Sequence, residues 1–154
     1  MAFNNRIDVL QDFTNDKAAL NASIGRLLPA GATALHNAFY ISIKELQKEQ
    51  QQAGAATRRP AIILLSDGEN TASIVTEDRV IELARKAEIA IYSIRITTDL
   101  EGDKGRAAFS PATHLLSVLA RETGGQAFFP AQIQELDSVY DRIAEEMRTQ
   151  YSLG

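Results

Sequence analysis

The 154-residue chain contains no cysteine and only two histidines. Without cysteine it can form neither a disulfide nor a thiolate metal ligand, and it has no cysteine nucleophile. Two histidines far apart in the sequence also argue against a histidine-rich zinc site. The compartment stays open, because many secreted domains lack cysteine as well.

Long apolar runs and an excess of basic residues are absent too. No run approaches the ~18–20 apolar residues that span a bilayer, and the residues after Met1 do not resemble a signal peptide. The net charge of −4 gives no general attraction to nucleic acid or to an anionic membrane. The apolar fraction of 45% is typical of a globular chain, and the length fits one domain over residues 1–154.

The motifs that most often mark enzymes and calcium sites are missing. There is no glycine-rich phosphate loop, no Gly-x-Ser-x-Gly elbow and no His-Glu-x-x-His. The segment 99–105 has alternating acidic residues, but Lys104 and Ser110 stand where an EF-hand needs glycine and a carboxylate. His36 and His114 have no catalytic partner at motif spacing, so we expect both to be structural residues.

What is present is an alternation of strands and helices. The uninterrupted run Ala61–Ser66 is typical of a strand buried on both faces, and Ile89–Ile96 is a second one. Helical spacing or caps predict helices over residues 14–28, 33–46, 76–87, 114–123 and 136–147, with shorter strands at residues 7–13 and 127–129. Thr14, Asn15 or Asp16 can cap the first of these helices, and Gly124-Gly125 ends the fourth. This order predicts a doubly wound α/β fold, with a mostly parallel sheet and helices on both faces.

Asp67 is the first candidate for a functional residue. It directly follows the most apolar strand, and ligands of such sheets bind beyond the carboxyl ends of the strands. A carboxylate there can hold Mg²⁺ or Mn²⁺, or it can cap the turn. Glu69 and Asn70 lie in the same loop and could add ligands, although charged loop residues are usually solvated. We expect Ser66 and Thr71 to make structural hydrogen bonds.

Thr33 is the second candidate. It follows a glycine-containing loop at residues 29–32 and precedes the second predicted helix. A threonine at that place can act as the N-cap of the helix, and its hydroxyl can equally serve as a metal ligand. The sequence leaves both roles open.

Four segments resemble parts of von Willebrand factor A (VWA) domains. Residues 31–35, Gly-Ala-Thr-Ala-Leu, resemble the Gly-Gly-Thr-x-Leu loop, and residues 62–68 resemble the fourth strand with its Ser-Asp-Gly end. Residues 119–129 resemble the fifth helix and sixth strand, and residues 136–154 the closing helix of bacterial members. The resemblance covers essentially the whole chain, in order.

This resemblance implies a metal-ion-dependent adhesion site (MIDAS). The family builds it from an Asp-x-Ser-x-Ser loop, the Thr of the glycine loop and the Asp after the fourth strand. Carried over by motif, the last two ligands are Thr33 and Asp67, with Ser66 and Glu69 as accessory ligands. A partner's carboxylate completes the coordination of Mg²⁺ or Mn²⁺, so the implied role is adhesion or complex assembly without catalysis. Relatives are often extracytoplasmic.

The chain also departs from the family pattern. It has no Asp-x-Ser-x-Ser, and Ala2–Asn4 already resembles the tail of the second strand, with Arg6–Phe13 as the antiparallel third. We therefore expect an amino-terminally truncated domain without its first, central strand, and with weak cation binding. Ala32 replaces the second glycine, and Asn37 stands where many bacterial relatives carry Asp. A second copy could fill the gap, which predicts a homo-oligomer or a strand-exchanged dimer.

Two alternatives remain open on the sequence. The first is a metal-free scaffold or self-assembly domain, because the missing ligands are hard to replace. The second is a hydrolase or a phosphotransfer receiver that uses Asp67 as nucleophile. A receiver also needs clustered acidic residues and a late lysine, whereas Ile96 is followed by Thr97 and Thr98. A non-catalytic interaction module is the expected function.

Overall fold

The computed structural model describes residues 1–27, 32–52, 60–67, 70–95 and 111–149. Gly31, Gly68, Glu69 and the acidic segment 99–105 lie outside these ranges. In chain order, the described elements are β1 (Ala2–Phe3), β2 (Ile7–Asp8), α1 (Lys17–Ile24), α2 (Leu35–Gln52), β3 (Ala61–Leu65), α3 (Glu77–Lys86), β4 (Ala90–Ile94), α4 (Pro111–Thr123), β5 (Ala127–Phe128), a 3-10 turn (Ile133–Glu135) and α5 (Leu136–Thr149).

The central sheet consists of the parallel strands β3, β4 and β5, in that order. Ala61 lies opposite Ala90, and Leu65 opposite Ile94. Ser93 is paired with Ala127 on the other side of β4. The predicted α/β class with a parallel sheet is therefore confirmed.

Helices cover both faces of this sheet, and the alternation along β4 shows how. Ile89 and Ile91 belong to the core that α2, α3 and α4 close on one face, with contributions from Leu35, Phe39, Val80, Leu83, Leu116 and Leu119. Tyr92 and Ile94 point to the other face, where α5 packs with Val139 and Ile143. The side chains of β4 enter the two cores in turn because successive side chains of a strand point to opposite faces of the sheet.

The first two strands form a separate antiparallel pair. Ala2 lies opposite Asp8, and Phe3 opposite Ile7. The strand predicted over residues 7–13 has the expected direction, but it ends at Asp8 because β1 offers only two residues for pairing. Val9 and Phe13, which the pattern placed in that strand, are mostly exposed.

Helix ends differ from the sequence prediction in two places. Asp16 caps α1 as predicted, accepting hydrogen bonds from the backbone N–H groups of Ala18 (2.8 Å) and Ala19 (3.2 Å). That helix ends at Ile24 and not near residue 28, because the chain turns at Gly25. Conversely, α4 begins at Pro111, before the predicted start at residue 114, with proline in the first turn where its missing N–H is tolerated. No helix among the described residues has the length and apolarity needed to cross a membrane.

Candidate cation site at the carboxyl edge of the sheet

Strand β3 carries Ser66 and Asp67 to the carboxyl edge of the sheet. The Ser66 N–H donates to the carbonyl oxygen of Ile94 at 3.1 Å, which extends the pairing with β4 by one residue. The Ser66 hydroxyl donates to Asp67 Oδ1 at 3.4 Å. Asp67 itself is an exposed residue.

Thr33 is held at the same edge by backbone bonds to the loop that follows Asp67. Its N–H donates to Thr71 Oγ1 at 2.9 Å, as expected for a structural role of Thr71. Its carbonyl oxygen accepts from the N–H groups of Thr71 (2.9 Å) and Ala72 (3.1 Å). Thr33, Ser66 and Asp67 line one groove of about 820 Å³. The structure thus places three of the four predicted site residues in one groove, and Glu69 lies outside the described residues.

The N-cap role considered for Thr33 is not what the structure shows. Helix α2 begins at Leu35, whose N–H donates to Asn70 Oδ1 at 3.1 Å. The next two N–H groups, of His36 and Asn37, donate to Ser73 Oγ at 2.9 and 3.3 Å. The 70–75 loop therefore satisfies the free amides of the first turn. Within the described chain, the Thr33 hydroxyl makes no protein hydrogen bond and can approach a ligand.

The side chains of Asn37 and His36, on α2, form hydrogen bonds with the backbone of the 70–75 loop. Asn37 Oδ1 accepts from the N–H groups of Ile74 (3.1 Å) and Val75 (3.0 Å). His36 is buried, and its Nδ1 lies 2.9 Å from the carbonyl oxygen of Val75, which confirms its structural role. The loop and the start of α2 are consequently fixed to each other from both sides.

The structure gives Asn70 a structural role. Its Oδ1 caps Leu35, and its Nδ2 lies 3.2 Å from His36 Nδ1. Both polar ends of the side chain are therefore turned toward the start of α2. Asn70 is neither a solvated loop residue nor an available cation ligand, contrary to the two roles considered from the sequence.

Arg95 is a residue of this edge that the sequence analysis missed. It directly follows β4, and its Nε donates to the backbone oxygen of Asp67 at 2.6 Å. Its Nη1 donates to Thr113 Oγ1 at 2.6 Å. The available signal was its position, because the carboxyl ends of neighbouring parallel strands meet at one edge. Arg95 fixes the end of β3, and its positive charge would repel a cation bound next to Asp67.

The donor set fits a divalent cation only in part. Mg²⁺ prefers six hard oxygen ligands and usually keeps several waters. Asp67 offers a carboxylate, and Thr33 and Ser66 offer hydroxyls on the same groove. No group of three or more His, Cys, Asp or Glu side chains that could hold a metal occurs in the described part of the chain. The oxygens are of the right kind, but water or another polypeptide would have to complete the shell.

Comparison with known proteins adds one curated relative, and no family model matches the chain. The relative is a "UPF0353 protein" of Nocardia farcinica, 24% identical over 176 aligned positions. The alignment covers all of this chain and 52% of that protein, so the chain spans about half of the relative's length.

Two crystal structures align with this chain. The conserved hypothetical protein BatB from Bacteroides thetaiotaomicron aligns with a TM-score of 0.54 at 14% identity, over 86% of this chain and 70% of that chain. An uncharacterized membrane spanning protein from Vibrio fischeri aligns with a TM-score of 0.48 at 25% identity, over 86% and 67%. The likeness to BatB agrees with the α/β architecture and shows the fold alone.

Proposed function

We propose that this chain is a non-catalytic protein-interaction module of the VWA type with part of a metal-ion-dependent adhesion site. Asp67 and Thr33 are the proposed cation ligands, with Ser66 as an accessory. The observation that carries the proposal is their position on one groove, where the bonds between Thr33 and Thr71 join the two loops. The likeness to BatB supports the fold that this role requires.

The three proposed ligands differ in the charge that they bring to the cation. The Asp67 carboxylate contributes the only negative charge of the proposed ligand set, and the hydroxyls of Thr33 and Ser66 contribute neutral oxygens. An ion held by one carboxylate keeps net positive charge and open coordination positions, so it attracts an anionic oxygen of a partner. Arg95 donates a hydrogen bond to the backbone oxygen of Asp67 and so restrains the chain at the end of β3.

A calorimetric titration with Mn²⁺ tests this proposal. We expect weak binding to the wild-type chain, loss of binding in Asp67→Asn and weakened binding in Thr33→Val. Asp141→Asn is the matched control, because Asp141 is an exposed aspartate on α5, away from the groove. Mn²⁺ at ten times its Kd should also stabilise the wild-type fold by about 1.4 kcal/mol.

The metal-free scaffold is the second candidate, and Arg95 is the observation that favours it. A guanidinium bonded to the Asp67 backbone opposes a second cation at that place. No Mn²⁺ binding by the folded wild-type chain would support the scaffold and reject the cation site. Unchanged binding in Asp67→Asn would likewise reject the assignment of the ligands.

A further inference from the structure

Arg95 joins three elements at the carboxyl edge of the sheet. Its backbone N–H donates to the carbonyl oxygen of Phe128 in β5 at 2.9 Å. Its Nε donates to the backbone oxygen of Asp67 at 2.6 Å, and its Nη1 donates to Thr113 Oγ1, in the first turn of α4, at 2.6 Å. The residue is partly buried. The guanidinium is therefore held from two sides, and it cannot leave Asp67 without breaking a hydrogen bond.

A cation on the Asp67 carboxylate would lie close to this guanidinium. Mg²⁺ binds its oxygen ligands at about 2.1 Å, and Arg95 Nε lies 2.6 Å from the backbone oxygen of the same aspartate. Bond lengths within one residue then put the cation and the guanidinium on the order of 7 Å apart. Arginine is not deprotonated in proteins, so this positive charge is present whenever the chain is folded.

The charges that the described residues bring to the groove offset each other in pairs. Asp8 and Arg26 line the groove together with Asp67, and their charges are opposite. Arg95 offsets the carboxylate of Asp67 in the same way. A divalent cation would therefore meet little net negative charge here, although Asp67 supplies an oxygen of the right kind.

We propose that Arg95 is an intramolecular competitor of the cation, which keeps the cation affinity of Asp67 low. The inference rests on the cation site of the proposed function and adds the residue that controls its occupancy. It gives weak binding a cause other than the missing Asp-x-Ser-x-Ser motif, because a fixed side chain repels the ion. A partner's carboxylate would supply the negative charge that Arg95 offsets, so Arg95 makes the cation depend on the partner.

Coulomb's law sets the size of the expected effect. A divalent cation and a guanidinium about 7 Å apart repel each other, with an effective dielectric constant between about 20 and 60 near a protein surface. Screening at physiological ionic strength, where the Debye length is about 8 Å, more than halves this repulsion. What remains corresponds to a change in Kd of roughly three- to thirtyfold.

The test is a calorimetric Mn²⁺ titration of the wild-type chain, Arg95→Gln and Arg95→Lys. Glutamine removes the charge and keeps an N–H donor, so we expect Mn²⁺ to bind roughly three- to thirtyfold more tightly. Lysine keeps the charge and loses the planar fork, so we expect an affinity near that of the wild type. Arg95→Met, which keeps an apolar stem, is a second neutral variant, and circular dichroism verifies that each protein folds.

Arg148→Gln is the matched control, because it changes the net charge by the same amount. Arg148 is exposed in the last turn of α5. This 14-residue helix starts after β5 and is about 21 Å long, so its end lies far from the carboxyl edge. A second control is salt. The advantage of Arg95→Gln should shrink between about 0.1 M and 1 M NaCl, because the Debye length falls from about 10 Å to 3 Å. A merely structural effect of the substitution would not depend on salt.

Equal or weaker Mn²⁺ binding by the neutral variants, while the wild type binds, would overturn this inference and leave the cation site standing. Tightening by Arg95→Lys as large as that by Arg95→Gln would also overturn it, because the charge would then not be the cause. Mn²⁺ binding by Arg95→Gln alone would support the inference and favour the metal-free scaffold for the wild-type chain. Absence of binding in all variants would reject both the inference and the cation site.

Discussion

Replacing Asn37 by alanine tests how the Thr33 loop is held beside Asp67. Asn37 Oδ1 accepts two hydrogen bonds, from the N–H groups of Ile74 and Val75. Alanine removes this acceptor oxygen, and with it both hydrogen bonds, and leaves the rest of α2 intact. The change therefore isolates the contribution of these two bonds to the site edge.

The expected loss follows from the different exposure of the two donors. Ile74 is exposed, so water replaces its lost bond at small cost, whereas Val75 is partly buried and its N–H stays poorly solvated. Together the two bonds correspond to about 1.5–3 kcal/mol in the free energy of unfolding. For a domain of this length, such a loss lowers Tm by about 3–12 °C.

Asn37→Asp is the matched control for this prediction. The carboxylate keeps an acceptor oxygen for both hydrogen bonds. It stands in the first turn of α2, where negative charge interacts favourably with the helix dipole by about 0.3–1 kcal/mol. We therefore expect a free energy of unfolding equal to that of the wild type or slightly higher.

Urea unfolding followed by circular dichroism at 222 nm, with m-values compared, measures all three proteins. The reasoning is refuted if Asn37→Ala lies within about 0.5 kcal/mol of the wild type, below the usual net value of even one bond. It is also refuted if Asn37→Asp is destabilised as much as Asn37→Ala, because the two accepted bonds would then not be the cause.

Five further substitutions can be measured by the same unfolding assay. Gly125→Ala should cost at least about 3 kcal/mol, because a Cβ there would overlap the Ile91 carbonyl group in β4. Gly124→Ala, at φ +76° in open space, should cost only about 1–2 kcal/mol. Thr123→Val should cost about 1–3 kcal/mol, since Thr123 Oγ1 accepts the Ile91 N–H at 3.1 Å. Asp16→Ala should cost about 1 kcal/mol, and Asp16→Ser much less, because serine also caps α1.

The parts of the fold that the sequence predicted well are those set by local pattern. The aliphatic run at residues 61–65 correctly predicted strand β3, but the predicted burial on both faces is wrong, because Ile63 and Leu65 on one face are 44% and 47% exposed. It also placed Asp67 at the carboxyl edge. The capping residue Asp16 and the glycine pair 124–125 act within a few residues of chain, and both were identified correctly.

The parts that the sequence did not predict depend on contacts distant in the chain. The length of β2 is set by the two residues of β1, which no pattern in β2 records. Ser73 and Asn70 cap a helix more than thirty residues earlier in the chain, so neither shows the spacing of a local cap. Arg95 was missed because its role depends on a hydrogen bond to Asp67, which lies at the end of the neighbouring strand and 28 residues earlier in the chain.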